Sequence, residues 1–118
     1  MDFVEYRYSV LLVSASEKFN DSLRGLLPES RYDPVTVIGD TSSARRLLLE
    51  NSYDLAVINT PLTDDFGTRL ALDICNDSGT GVLLLVKAEH YPDVNARVSP
   101  YGVLTLSKPT TAQMITQS

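Results

Sequence analysis

The chain is divided by short apolar runs that are nearly continuous and do not alternate with polar residues. They span residues 10–13, 35–38, 55–58, 82–86 and 103–106, and the last is the weakest. Runs of this length and composition are typical of strands that are buried on both faces, as in a parallel sheet. We therefore predict five strands.

Between these runs lie segments with apolar residues at helical spacing, which indicate four helices. Ser16 is a suitable N-cap for the first helix, and Thr41 or Ser42 for the second. Pro92 suits the first turn of the fourth helix, because a proline there loses no helical hydrogen bond. The apolar positions are Phe19, Leu23, Leu26 and Leu27; Ala44, Leu47 and Leu48; Leu70, Ala71, Ile74 and Cys75; and Val94 and Val98.

The alternation of strands and helices predicts an α/β fold, a doubly wound parallel sheet with right-handed crossovers. A chain of 118 residues suits one domain with a single core. After the fifth strand, residues 110–118 begin a helical pattern with room for about two turns. We therefore expect a single domain over residues 1–118 whose last helix is truncated. We also expect it to be the N-terminal domain of a longer protein.

Charge and cysteine content narrow the function classes. Apolar residues make up 43% and charged residues 21% of the chain, and the net charge is −5, so the surface offers little to a nucleic-acid backbone. The lone cysteine, Cys75, can form no intrachain disulfide. Residues 1–7 lack a leader pattern, and no apolar run is long enough to span a bilayer. We expect a cytoplasmic protein that neither binds nucleic acid directly nor enters a membrane.

Four segments at the ends of predicted strands carry a resemblance to a known family. They read VLLVSAS, LAVINTPLTDDFG, LLLVKAE and VLTLSKP. Together they resemble the receiver domain of two-component response regulators over almost the whole chain, and the pair Lys108-Pro109 is the most specific match. Gly67 also stands at the family's spacing, eight residues after Asn59. The resemblance implies a five-stranded sheet of order 2-1-3-4-5.

The resemblance also implies a phosphorylation site, from which this chain departs at most positions. A working receiver holds Mg²⁺ with two acidic residues after the first strand and is phosphorylated on an aspartate after the third. A hydroxyl after the fourth strand and a lysine after the fifth then contact the phosphoryl group. In this sequence the acidic pair falls at Ser14 and Ala15, the phosphoacceptor at Asn59, the hydroxyl at Lys87, the lysine at Lys108, and the aromatic residue that changes rotamer on activation at Thr105.

These replacements remove the chemistry of phosphorylation. Asn59 carries a neutral amide, which is a poor nucleophile. Ser14 and Ala15 lack the negative charges that attract Mg²⁺, and Lys87 adds a positive charge next to that of Lys108. We therefore predict a site with no metal and no cofactor. Lys108 either hydrogen-bonds Asn59 or Ser14 as a structural residue, which we favour, or binds an anion together with Lys87.

Other polar residues near the site have simpler interpretations. Asp64 and Asp65 are expected to be solvated turn residues, and Glu17 a first-turn helix carboxylate favoured by the helix dipole. His90 has no second histidine or cysteine near it in sequence, so we expect an exposed loop residue and not a metal ligand. Cys75 is expected to be a small buried thiol on the third helix.

We interpret the chain as a binding module and not as an enzyme: a degenerate receiver that regulates an attached output domain without phosphorylation. We expect a homodimer through the fourth helix, fifth strand and fifth helix. The output domain is expected to bind DNA, or RNA as in the antiterminators called ANTAR. The alternative is a receiver that is phosphorylated with Mg²⁺ on another carboxylate, Asp64 or Asp65. A flavodoxin-type nucleotide or flavin binder ranks last, because the loop after the first strand has no phosphate-binding glycines.

Overall fold

A computed structural model describes residues 7–77 and 79–108 as alternating strands and helices. Each of the five predicted strands and four predicted helices is present. The helix expected over residues 110–118, and Pro109 before it, lie outside the described residues. The elements are β1 (Tyr8–Val13), α1 (Glu17–Leu26), β2 (Tyr32–Ile38), α2 (Thr41–Glu50), β3 (Leu55–Asn59), α3 (Thr68–Asp77), β4 (Gly81–Lys87), α4 (Tyr91–Val98) and β5 (Leu104–Lys108), with 3₁₀ turns at Ala88–His90 and Ser99–Tyr101.

The strands form one parallel sheet of order β2-β1-β3-β4-β5, which confirms the predicted topology. In register, Leu12 of β1 lies between Val37 of β2 and Val57 of β3. The chain order reverses where β1 meets β3. In open α/β sheets, ligands bind beyond the carboxyl ends of the strands at such a point. The fold therefore draws attention to the residues that follow β1 and β3.

Both faces of the sheet are buried, which explains why the apolar runs are continuous. Because alternate residues of a strand point to opposite faces, Leu11 and Val13 belong to one core, and Val10 and Leu12 to the other. Three helices, α2, α3 and α4, cover the first core, and α1 covers part of the second. The helical residues buried in these cores are Ala44, Leu70, Ala71, Ile74, Val94 and Val98 in the first, and Leu23 in the second.

The N-termini of α1 and α2 are capped by side chains, and one cap differs from the prediction. Ser16 caps α1, as predicted. The cap of α2 is Asp40, whose carboxylate accepts a hydrogen bond from the amide of Ser43 at 3.0 Å. A carboxylate at this position also interacts favourably with the helix dipole. Thr41 and Ser42 lie inside the first turn, where their hydroxyls donate to a different carboxylate.

Element boundaries shift by a few residues from those predicted. β2 begins at Tyr32, three residues before its apolar run. The apolar pattern missed this part of the edge strand because Asp33 and Pro34 are exposed. β5 continues to Lys108, beyond the end of its apolar run. Pro92 lies in the first turn of α4, as predicted. None of the helices within residues 7–77 and 79–108 is long and apolar enough to cross a bilayer.

Gly67 allows the loop after β3 to turn into α3. Its φ of +118° lies in the region that favours glycine. A Cβ atom at this position would lie 3.1 Å from Ile58 Cγ2 and 3.4 Å from Thr60 Cγ2. Backbone conformation and lack of space therefore both require glycine here.

Gly67→Ala is expected to lower the free energy of unfolding by about 2 kcal/mol or more, because alanine is strained at positive φ and its methyl group meets Ile58. Gly25→Ala in α1 is the matched control, since a Cβ there meets nothing within 4 Å. That variant should gain up to about 1 kcal/mol from helix propensity. Urea unfolding of both variants beside the parent protein measures the two effects. A G67A protein as stable as the parent would contradict this role for Gly67.

Candidate functional site

Polar side chains meet at the edge of the sheet where the parallel strands end. Ser14 directly follows β1, Asn59 is the last residue of β3, Lys87 the last of β4 and Lys108 the last of β5. Carboxyl ends of parallel strands share one edge, so four segments that are distant in sequence converge here. Each of these residues was a predicted site residue, and the fold brings them to one place.

The strand register sets which way these side chains point. Asn59 pairs with Leu85, and Leu85 pairs with Leu106. Lys87 pairs with Lys108, two residues further along the same strands. Residues in register, and residues two apart along a strand, share one face of a sheet. The asparagine and both lysines therefore lie on the same face, with the lysines nearer the edge.

Hydrogen bonds link the end of β5 to the end of β1 through Asn59. The Lys108 ammonium donates to Asn59 Oδ1 at 3.0 Å and to the carbonyl oxygen of Thr60. The amide nitrogen of Asn59 donates to Ser14 Oγ at 3.2 Å, and Ser14 Oγ also accepts from the backbone amide of Ser16 at 3.2 Å. Of the two proposed partners of Lys108, Asn59 is the one it contacts directly. The Asn59 amide is thus held at both ends.

Asn20 is a buried part of this network that the sequence pattern did not reveal. Its side-chain nitrogen donates to the carbonyl oxygen of Ser14 at 3.2 Å. Its side-chain oxygen has no hydrogen-bond partner among the described residues. Asn20 stands beside the apolar Phe19 on α1, and a polar residue in a helix gives no sequence signal that it points inward.

The two lysines make this edge of the sheet positive. Partial burial, and then the charge of Lys87, lower the pKa of Lys108 from its ordinary value. Lys87 itself is exposed. Within the described residues, no carboxylate lies at ion-pair distance from either amine.

The donors at this edge do not fit Mg²⁺. This ion prefers octahedral oxygen coordination and is held in proteins through carboxylates. Ser14 offers a hydroxyl that already accepts two hydrogen bonds, Ala15 offers a methyl group, and the amide oxygen of Asn59 accepts from an ammonium. A cation beside that oxygen repels a second cation. These side chains therefore do not form a magnesium site.

Asp64 is an exposed residue of the loop after β3, as predicted, and its carboxylate makes hydrogen bonds that the sequence did not reveal. Its carboxylate accepts hydrogen bonds from the amide and hydroxyl of Thr41, at 2.8 and 2.9 Å, and from the amide and hydroxyl of Ser42, both at 3.1 Å. The amide of Thr41 is the largest cause that lowers the pKa of Asp64 from 3.8 to about 2. Asp64 therefore fastens the loop after β3 to the N-terminus of α2.

The other polar residues near the site lie close to where they were expected. Glu17 is in the first turn of α1. His90 is exposed, and its ring packs edge-on against Phe66 with centroids 5.7 Å apart. Asp65 is exposed and accepts a hydrogen bond from the amide of Phe66 at 2.8 Å. Cys75 corrects the prediction of a buried thiol, because it is only partly buried and its thiol donates to the carbonyl oxygen of Tyr101 at 2.9 Å.

Solved structures with a similar fold come from signalling proteins. The signal receiver domain of an HD domain-containing protein from Pseudomonas fluorescens Pf-5 is 25% identical, with a TM-score of 0.80 over 99% of this chain and 87% of that chain. The signal receiver domain of a putative Luxo repressor protein from Vibrio parahaemolyticus is 22% identical, with a TM-score of 0.81 over 94% of this chain and 85% of that chain. The chemotaxis response regulator CheY4 of Vibrio cholerae is 18% identical, with a TM-score of 0.78 and 94% of each chain covered.

This chain has the receiver-domain fold. The likeness rests on structure, because no protein-family model and no curated protein sequence matches the chain.

Thr105 is a buried polar residue of β5, and no hydrogen bond in the described part of the chain compensates the burial of its hydroxyl. It lies in β5 opposite Leu84, and only 2% of its surface is exposed. Its Oγ1 has no hydrogen-bond partner among the described residues. An unpaired hydroxyl in a core costs free energy, so the threonine is a weak point of this strand.

Asp64→Asn is expected to lower the free energy of unfolding at neutral pH, because a neutral amide replaces a carboxylate that accepts from Thr41 and Ser42. The pKa of Asp64 is depressed from 3.8 to about 2 on folding, so its stabilisation is complete above the unfolded value and is lost as the pH falls through about 2. The difference between parent and variant should therefore shrink between about pH 4 and pH 2. Urea unfolding across this range, with Asp65→Asn as control, measures it. A difference that stays constant down to pH 2 would contradict the linkage.

Thr105→Val and Thr60→Val form a matched pair, because both threonines are 2% exposed. Thr105 has an unpaired hydroxyl, so valine should raise the free energy of unfolding by about 1 kcal/mol. Thr60 Oγ1 donates to the carbonyl oxygen of Leu85 at 2.7 Å, so valine there should lower it by about 1 kcal/mol. Thermal or urea unfolding compares them, and a loss of stability in T105V would mean that its hydroxyl has a partner.

Proposed function

We propose that this chain is a cytoplasmic regulatory module of response-regulator signalling that acts without being phosphorylated. The receiver-domain fold supports the signalling role, since the similar solved structures are signal receiver domains and a chemotaxis response regulator. The environment of Asn59 supports the proposal that the module acts without being phosphorylated. Its neutral amide occupies the end of β3, hydrogen-bonded between the ammonium of Lys108 and the hydroxyl of Ser14.

The chemistry of these groups supports a role that does not use an acyl phosphate. An amide nitrogen is a poor nucleophile, and the amide oxygen of Asn59 already accepts from a cation. The carboxylates that position a metal ion in a working receiver are replaced by Ser14 and Ala15. Formation of an acyl phosphate needs a carboxylate nucleophile and a bound metal ion together, and Ser14, Ala15 and Asn59 supply no carboxylate for either role.

The alternative, phosphorylation on Asp64 or Asp65, gains little support from their contacts. The oxygens of Asp64 accept hydrogen bonds from Thr41 and Ser42, which stabilise the charge and lower its nucleophilicity. Asp65 is exposed on the loop, and among the described residues it makes no ion pair with a basic group. We therefore keep this alternative second.

The proposed output is a homodimer through α4, β5 and the fifth helix, coupled to an attached domain that binds RNA, as in an antiterminator, or DNA. Two exposed apolar side chains at this side of the fold support it: Tyr101 with 58% and Leu104 with 50% of the surface exposed. An exposed apolar side chain gains free energy when a partner protein covers it. The fifth helix lies outside the described residues, so its part in the dimer rests on the family resemblance.

The deciding experiment is incubation with Mg²⁺ and acetyl phosphate, followed by intact-mass measurement beside a conventional receiver. The parent protein should gain no phosphoryl group under conditions that label the control. Asn59→Asp alone should also remain unlabelled, because Ser14 and Ala15 still supply no carboxylate for the metal ion. The triple variant Ser14→Asp, Ala15→Asp, Asn59→Asp is the form expected to regain labelling, unless the charge of Lys87 prevents it.

A phosphoryl group on the parent protein that hydroxylamine removes would overturn the proposal, since hydroxylamine cleaves acyl phosphates. Labelling that disappears in Asp64→Asn or Asp65→Asn would establish the alternative. Labelling of the single variant N59D would show that metal ligands other than residues 14 and 15 are available.

A further inference from the structure

We propose that the cavity between α2 and α3 binds a small molecule in which an apolar body carries a carboxylate. This inference goes beyond the proposed function, because the cavity lies apart from the edge of the sheet where Ser14, Asn59 and Lys108 meet. It concerns recognition only, and no bond is made or broken in the ligand.

The cavity lies near the amino ends of β3 and β4, at the opposite end of these strands from Asn59. Tyr53, two residues before β3, and Thr80, directly before β4, both line it. Its walls come from the second half of α2 and from α3. The volume is about 470 Å³, which is within the usual range for a small-molecule site.

The floor of the cavity is apolar. Leu70 and Ile74 of α3 are 0% and 4% exposed, and the buried Tyr53 lines the same cavity. Leu49 of α2 lies at the rim with 86% of its surface exposed, the highest value among the large apolar side chains of the described residues. An apolar ligand would leave water for this floor, and it would also cover part of Leu49. Both effects favour binding.

The polar side of the cavity is a cluster in which two arginines share one carboxylate. Arg45 Nη1 of α2 donates to Asp73 Oδ2 of α3 at 2.8 Å. Arg69 Nε lies 3.3 Å from the other oxygen of Asp73. The single charge of Asp73 therefore leaves one positive charge uncompensated within this cluster. Arg45 lines the cavity and has N–H groups besides the one that bonds Asp73.

This cluster selects a carboxylate among the possible polar groups of a ligand. A guanidinium binds a carboxylate through parallel N–H···O bonds, which are charge-assisted and directional. A ligand ammonium would be repelled by the uncompensated arginine charge, and a ligand hydroxyl would carry no charge to attract it. A carboxylate beside Arg45 with an apolar body over Leu70 and Ile74 satisfies both sides of the cavity.

An occupied cavity would act on the loop that follows β3 through α2. The ligand contacts α2 and α3 together, so it favours one separation of the two helices. The N-terminus of α2 is bound to Asp64 of that loop through Thr41 and Ser42. The ligand would regulate the module to the extent that it binds two arrangements of α2 unequally. This regulatory consequence rests on the proposed function, whereas the binding itself does not.

The test is a titration of the ¹⁵N-labelled protein with sodium octanoate below its micelle-forming concentration, at constant ionic strength maintained with sodium chloride. Amide shifts should change saturably at Arg45, Leu49, Tyr53 and Ile74, with a dissociation constant on the order of millimolar for a ligand of this size. Sodium acetate supplies the carboxylate without the apolar body, and octan-1-ol supplies the body without the charge. Both should bind more weakly than octanoate.

Arg45→Gln tests the charged side of the cavity. It should weaken octanoate binding by roughly tenfold and leave octan-1-ol binding unchanged. The variant should fold, because a partly exposed ion pair contributes little to stability. Arg46→Gln is the matched control, since it removes the same charge from the next residue of α2, which is exposed and does not line this cavity. It should bind octanoate like the parent protein.

Leu49→Ala tests the apolar rim, and the exposure of Leu49 means that the fold does not depend on this side chain. The variant should bind octanoate roughly threefold more weakly, because less apolar surface covers the ligand. Leu26→Ala in α1 is its control, since Leu26 is a half-exposed leucine outside the cavity. It should have no effect.

Absence of saturable shifts at these residues would overturn the inference. So would equal weakening in R45Q and R46Q, which would mean that the anion responds only to net charge. Binding of octan-1-ol as tight as that of octanoate would overturn the assignment of a carboxylate. None of these results affects the proposed function, because that proposal fails only if acetyl phosphate labels the protein.

Discussion

The ammonium of Lys108 is the contact on which the carboxyl edge of this sheet depends. From the end of β5 it reaches across β4 and donates to Asn59 and to the carbonyl oxygen of Thr60 at the end of β3. Asn59 then carries the connection to Ser14 after β1. Buried polar atoms that lose a partner cost about 1–3 kcal/mol each. The Lys108 side chain thus provides a donor for two partly buried acceptor oxygens at the end of β3.

The polar residues of this edge make sense as a set. A carboxylate at position 59 without a metal would be a buried charge that relies on Lys108 alone, and a second carboxylate at position 14 would add repulsion. Ser14 and Asn59 avoid both costs, because a hydroxyl and an amide satisfy each other without charge. The positive charge that remains is not cancelled within the described residues, and Lys87 increases it. The neutrality of these two side chains therefore stabilises the edge, and the proposal of a module that works without phosphorylation rests on the same property.

The sequence predicts the sheet and the place of the site far better than the loops around it. Continuous apolar runs identify strands buried on both faces, and residues that follow them, such as Asn59, must meet at one edge. The family resemblance added Ser14 and Lys108 to this place. Contacts between loops could not be predicted, because they depend on backbone paths that no periodicity records. Asp64 binds Thr41, which is 23 residues away along the chain. The cap of α2 was misassigned for a local reason, since Asp40, Thr41 and Ser42 are three successive residues that can each cap a helix.

The loop after β3 is attached to the rest of the fold at two points, by groups of opposite charge. Lys108 holds its first residue, Thr60, whereas the carboxylate of Asp64 holds its middle through hydrogen bonds to Thr41 and Ser42. A hydrogen bond made by an ammonium contributes more than a neutral pair, about 1.5–3 kcal/mol against 0.5–1.5 kcal/mol. The attachment of Thr60 to Lys108 is therefore a strong one. The two attachments thus join one end of the loop to β5 and its middle to α2, so the loop connects elements on both sides of β3.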